Sequence, residues 1–167
     1  IKKEMLSKLE IIQQKIYTLD TLSRLVHQWH MMSKKIVFTN GCFDIMHQGH
    51  NTYLLQAAEY GNKLVVAVNS DASVQKLKGT KRPIIDQYSR ALNVASHAYI
   101  DAVIIFDEDT PLNLIKSLKP HVLVKGGDYT EDGIVGAKEV RADGGEVVII
   151  PFLEGFSSTA IIEKIAG

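Results

Sequence analysis

The chain has 167 residues, enough for one domain with a sizeable core. Its 19 lysines and arginines balance 19 aspartates and glutamates, so no electrostatic partner such as nucleic acid or an anionic membrane is expected, and any basic patch must be local. The single cysteine, Cys42, excludes an internal disulfide, and without a signal-peptide or membrane-spanning run the expected location is the cytoplasm.

The chain begins at Ile1 rather than at a methionine, which allows for residues before it. In residues 1–31, Met5, Leu6, Leu9, Ile12 and Ile16 recur at helical spacing, and Leu22, Leu25, Val26 and Trp29 do so again after the capping candidates Asp20 and Thr21. Two helices are expected. Either they pad one side of the domain, or the first carries a contact to a second copy; a homo-oligomer, in the simplest case a dimer, is the corresponding expectation.

From Lys35 onward strands and helices alternate. Strands are expected at 36–39, 64–69, 102–106, 122–125 and 146–150, as continuous apolar runs of the kind found where both sheet faces are covered. Helical stretches are expected near 49–60, 87–97, 111–119, 135–142 and 157–165, with Gly61, Pro111 and Pro120 as punctuation. The order predicts an α/β fold with a doubly wound, parallel, five-stranded sheet over 35–167, preceded by the helical extension of 1–31. Ligands of such sheets bind beyond the carboxyl ends of the strands.

The stretch 38–50, FTNGCFDIMHQGH, is the centre of that edge. Asn40-Gly41 lets the backbone turn and approach a ligand closely, and a helix starts near Gly49, so His47 and His50 stand at a helix N-terminus, where unpaired N–H groups favour anions. A phosphate site is the reading. Neither G-x-G-x-x-G nor G-x-x-x-x-G-K-[ST] occurs. Asp44, His47 and His50 fall at three-residue intervals that a transition metal could use, but no further ligand set accompanies them; Asp44 is expected to orient backbone N–H groups of the turn, and no bound metal is expected.

Three more segments share the edge. Residues 76–83, KLKGTKRP, read as a basic loop, with Lys78 and Arg82 as the leading phosphate candidates and Lys76 beside them. Lys125-Gly126-Gly127-Asp128 ends a strand with two glycines against which a base or ribose could lie, and a tight turn would explain them nearly as well. Ser157, Ser158 and Thr159 precede a helical run, either as an ordinary N-cap or as a second helix N-terminus aimed at phosphate.

Gly41-Cys42-Phe43-Asp44 followed by His47-Gln48-Gly49-His50 resembles the signature of the cytidylyltransferase-like nucleotidyltransferases, and 154–159, EGFSST, resembles their serine- and threonine-rich motif. NSDASV at 69–74, LKG at 77–79, Arg82-Pro83 and VKGGDY at 124–129 are similar to one branch, the D-glycero-β-D-manno-heptose 1-phosphate adenylyltransferases, which make ADP-heptose for bacterial surface polysaccharide. The resemblance covers roughly 35–165. In some bacteria this domain is fused to a sugar kinase, for which 167 residues leave no room, so a stand-alone adenylyltransferase is implied. Met46 replaces the usual leucine, and Phe152 stands where glycerol-phosphate cytidylyltransferases carry an arginine, which separates the chain from that branch. Residues 87–89, QYS, stand before Arg90 where acidic residues are expected.

The resemblance implies that a sugar 1-phosphate attacks the α-phosphorus of ATP with Mg²⁺ bridging the triphosphate. It assigns catalysis to His47, His50 and Lys78, and ATP to Asn40, Gly41, Cys42, Phe43, Gly49, Gly126, Asp128, Ser157, Ser158 and Thr159. Substrate binding is assigned to Asp44, Lys76, Arg82, Arg90 and Lys125, with Arg82 and Arg90 on either the sugar phosphate or the pyrophosphate. The alternatives are a relative that uses CTP or another phosphorylated acceptor, and a nucleotide-binding protein without catalysis.

Overall fold

Apolar strands without polar alternation need cover on both faces, and the computed structural model, which describes residues 6–127, 130 and 133–166, supplies it. The strands are β1 (Ile16–Tyr17), β2 (Ile36–Gly41), β3 (Lys63–Asn69), β4 (Ala102–Phe106), β5 (Val122–Gly126) and β6 (Glu146–Ile150). Among them run α1 (Lys8–Gln13), α2 (Leu19–Met31), α3 (Gln48–Ala58), α4 (Asp71–Lys78), α5 (Gln87–Ala95), α6 (Leu112–Leu118), α7 (Ala137–Ala142) and α8 (Ser158–Ala166). Consecutive strand residues serve opposite faces: Phe38, Val65 and Ala67 meet α2, α6 and α7, while Val37, Leu64, Val66 and Val68 meet α3 and α5.

The sheet is parallel with strand order β1-β4-β3-β2-β5-β6, so the winding reverses at β2. β2 pairs with β3 as far as Gly41↔Val68 but with β5 only at Val37↔Val122 and Phe38↔Leu123. Beyond Phe38 the two central strands part and open a crevice at their carboxyl ends, where the topology predicts a ligand. Tyr53 of α3 closes its floor. Its hydroxyl donates to the Val124 carbonyl at 3.3 Å, leaving Thr39 Oγ1, at 2.6 Å, as donor to the tyrosine oxygen. Burial pushes the Tyr53 pKa up to about 12, so the bridge is neutral at any physiological pH.

Three expectations are corrected. The sheet has six strands rather than five: Ile16 and Tyr17 pair with Val103 and Ile104 instead of continuing the first helix. A two-residue strand leaves no periodic signature, and its position is fixed from outside, by the Val103 N–H donating to the Lys15 carbonyl at 2.7 Å. α2 is capped by Thr18 rather than by Asp20 or Thr21, and its Leu22, Val26 and Trp29 belong to the main core, so this part of the extension is integral to the domain. α1 buries no side chain. Third, Lys76 and Lys78 lie on α4, not in a loop. Ser70 caps that helix by accepting from the Ser73 N–H at 3.1 Å, a signal masked by the helix's sparse apolar content.

Candidate active site

The chain leaves β2 through a turn in which Phe43 adopts φ 49°, a left-handed backbone that a bulky residue holds only under constraint. Its ring is buried among Val37, Tyr53 and Val68 on the α3 face of the sheet, which supplies the constraint. The turn delivers His47 to the N-cap of α3 in extended conformation (φ −143°) and His50 to the third helical position, with ring centroids 4.0 Å apart. Gly49 between them sits in a crowded spot: a Cβ there would lie 3.0 Å from the His47 ring and 3.1 Å from Cβ of Phe156.

The imidazoles are neutral donors rather than cations. Burial, and then the neighbouring His47 and Lys78, lower the His50 pKa to about 4; burial also lowers that of His47. Nδ1 of His50 accepts the His47 backbone N–H at 3.4 Å, which leaves the proton on Nε2. Nδ1 of His47 is buried without a hydrogen-bond partner among the described residues. A buried, unpaired nitrogen at a helix N-terminus is costly unless a ligand answers it.

Two adjoining cavities meet at this helix start. One, of about 310 Å³, is lined by His47, Gly49, His50, Lys78 and Ser157 to Thr159, so the N-termini of α3 and α8 converge on it. Ser157 caps α8 by accepting the Ala160 N–H at 3.4 Å, and Ser158 donates to the Ile45 carbonyl at 3.0 Å, which ties α8 to the turn. The other cavity, of about 330 Å³, is lined by Asn40 to Asp44, Asn69, Lys78, Arg82, Lys125 and Gly126. Lys125 reaches across the crevice to donate to Asn40 Oδ1 at 2.8 Å, and desolvation lowers its pKa despite the opposing influence of Cys42. Arg82 donates through Nε to Asp44 at 2.6 Å, while its Nη2 is buried without a partner among the described residues.

Of the expected site residues, the structure brings His47, His50, Gly49, Lys78, Arg82, Lys125, Gly126, Asn40, Gly41, Cys42, Phe43 and the hydroxyl triplet to this cleft. Three expectations need correction. Lys76 points away from it and pairs with Asp109 at 3.2 Å on the exposed surface. Arg90 is fully enclosed and donates to the carbonyls of Ile85 and Cys42 and to Asp71, so it braces the turn and presents no surface to a substrate. Asp44 lines the cleft but its oxygens accept from Arg82 and from the amides of Ile84 and Ile85; burial alone would raise its pKa, and these donors together hold it below the usual range. It orients backbone N–H groups as expected, though those of residues 84 and 85 rather than of its own turn, and it is unavailable to a metal beside the histidines. Asp128 lies outside the described residues.

The sequence reading passed over Tyr53, Asn69 and Phe156 and used Phe152 only as a departure. Tyr53 could have been found from its spacing, three residues after His50 on one helix face. Phe156, stacked on His47 at 6.0 Å between centroids, carries no sequence signal apart from its neighbours.

A crevice at the switch point of a parallel sheet, with two helix N-termini, neutral imidazoles and buried nitrogens without partners among the described residues at its mouth, defines a doubly wound α/β domain with an anion-binding edge. The model of the cytidylyltransferase-like family matches residues 38–164, and the chain belongs to that family. It is 53% identical over 154 residues to the bifunctional protein HldE of Koribacter versatilis, covering 92% of this chain and 32% of that protein. To HldE of Geobacter metallireducens it is 55% identical over 151 residues, covering 90% of this chain and 31% of the relative; the chain thus spans about a third of the length of these relatives. Among solved structures, the lipopolysaccharide core biosynthesis protein of Thermoplasma volcanium is similar with TM-score 0.59 and 27% identity over 72% of this chain and 97% of that one. The pantoate-β-alanine ligase of Francisella tularensis shares the fold, with TM-score 0.59 at 12% identity, over 90% of this chain and 76% of that one. No helix among the described residues is long and apolar enough to cross a membrane.

Proposed function

We propose that this domain transfers AMP from ATP to D-glycero-β-D-manno-heptose 1-phosphate, releasing pyrophosphate and forming ADP-heptose for bacterial surface polysaccharide. The reading is supported by motifs that resemble that branch, by the bifunctional HldE relatives, and by the likeness to the lipopolysaccharide core biosynthesis protein of Thermoplasma volcanium. The observation that carries it is the pair of orphaned buried nitrogens, Nδ1 of His47 and Nη2 of Arg82, in cavities that meet at His50 and Lys78. Such groups match phosphate oxygens on two substrates.

The nucleophile, a phosphate oxygen of the sugar 1-phosphate, is already anionic at neutral pH, so no general base is required. The chain's work is alignment and charge dispersal. The triphosphate lies across the N-termini of α3 and α8, where Nε2–H of His50 donates to an oxygen that gains charge as the α-phosphorus is attacked. Lys78, which lines both cavities, balances charge between acceptor and leaving pyrophosphate. Arg82, its angle set by Asp44, and Lys125 hold the acceptor phosphate. Magnesium enters as part of the MgATP substrate, since Asp44, the only carboxylate lining the two cavities among the described residues, is engaged by Arg82. The test is pyrophosphate release from MgATP, or MgCTP, with a panel of sugar 1-phosphates. Release with ATP that depends on the heptose 1-phosphate is expected; equal release without any acceptor would overturn the proposal.

A further inference from the structure

Phe152 is 67% exposed, yet it stands at the ligand edge two residues after the end of β6 and lines both cavities of the cleft. It also lines a third cavity, of about 370 Å³, between α3 and the end of β6. Its ring is not loose. A Cβ added at Gly126 would lie 2.8 Å from its Cε1, and one added at Gly127 would lie 2.8 Å from its Cε2, so the ring rests against the bare backbone of the glycine turn. The surface that the sequence suggested for a base or ribose is therefore covered by a side chain of this chain, whose exposed side faces the cavities.

We propose that Phe152 is the stacking platform for the purine base of ATP, and that Gly126 and Gly127 seat this ring rather than the base itself. The inference rests on the nucleotidyl-transfer reading above. Three observations favour the base over the acceptor sugar. Tyr53 follows His50 by three residues on α3, about 4.5 Å along the axis, and its ring also abuts Gly126, at 3.1 Å from the same Cβ position. A nucleotide with its phosphates on the helix start therefore runs past Tyr53 toward Phe152. Second, Asn40, Asn69, Arg82 and Lys125, a polar wall that suits a hydroxylated, phosphorylated acceptor, line a different cavity from Ser157 and Thr159, with Ser158 shared between the two. Third, an aromatic face rewards another π face without needing hydrogen bonds.

The experiment compares wild type with Phe152→Ala, Phe152→Leu and Phe152→Trp. Steady-state KM is measured for MgATP and for the sugar 1-phosphate, and Ki is measured for inorganic tripolyphosphate competing with ATP. The alanine and leucine variants should raise KM for ATP by about tenfold or more, with the tripolyphosphate Ki and the acceptor KM unchanged, and tryptophan should restore it. Phe152→Trp should also show fluorescence quenched by ATP and not by tripolyphosphate, against a constant background from Trp29, 8% exposed in the core of the opposite face. An unchanged KM for ATP, a rise confined to the acceptor, or a parallel rise in tripolyphosphate Ki would overturn the proposal. If wild type turned over no acceptor, the transfer reading would fail, and the Phe152→Trp titration with ATP would still decide whether the ring stacks on a base.

Discussion

Replacing His50 with alanine separates chemistry from folding more cleanly than any other change in the cleft. The side chain supports little structure. Its one side-chain hydrogen bond among the described residues is the long 3.4 Å contact from the His47 amide, whose loss is worth about 0.5 kcal/mol. Its catalytic contribution is larger, because Nε2–H is a preorganised neutral donor in a partly desolvated site, and removing one such donor raises the barrier by about 2.7–4 kcal/mol. His50→Ala should therefore fold with a nearly unchanged melting temperature and lose about 10²–10³ in kcat, with KM for ATP little altered because the interaction tightens mainly in the transition state. His50→Gln, which keeps a donor, should recover part of the loss. The assay is initial-rate pyrophosphate release at saturating MgATP and heptose 1-phosphate, paired with a thermal melt. Turnover within about threefold of wild type in a folded His50→Ala protein would refute the role, since that is under 1 kcal/mol of barrier.

Further outcomes follow from the same geometry. Lys78→Ala should slow turnover by about ten- to a hundredfold, the loss of one charge-assisted contact, whereas Lys76→Ala, removing a surface pair with Asp109, should leave rate and stability unchanged within about 0.5 kcal/mol. Equal effects of the two lysines would contradict the placement of α4. Asp44→Ala strips a buried partner from Arg82, whose side chain is 11% exposed, and should cost about 3–5 kcal/mol in urea unfolding as well as raising KM for the sugar phosphate. Stability should fall on acidification. Burial holds His50 and His121 below their ordinary value, so the unfolded chain binds more protons than the folded one beneath about pH 6.5. The histidine contribution is complete above that pH and is lost as pH falls toward 4; a denaturation midpoint flat from pH 7 to 4 would contradict the assignment.

The parallel sheet was readable because its five longer strands are apolar without alternation, a pattern that only two-sided cover explains. β1 was hidden because two residues carry no period and its place is set by β4. α4 was hidden because Val74 and Leu77 alone do not make a helical stripe, while the helix depends on a serine cap and on Gly79 at its end. In the site, His47 and His50 were legible from a glycine turn ahead of a helix. The roles of Asp44 and Arg90 were not. Charge in a sequence does not say which charge will be consumed by the fold, and Arg90 is held by groups from residues 42, 71 and 85, which only the tertiary structure assembles. Phe152 was legible as a departure, but its contact with the glycine turn joins two separate strand ends.

Transfer of label from ATP carrying ³²P at the α-position, with the heptose 1-phosphate as acceptor, tests the central claim most directly. The account predicts that the label appears in ADP-heptose together with an equal amount of unlabelled pyrophosphate, and that His50→Ala suppresses both to the same degree. Label that remains in ATP, or that appears as free AMP whether or not the sugar phosphate is present, would contradict it.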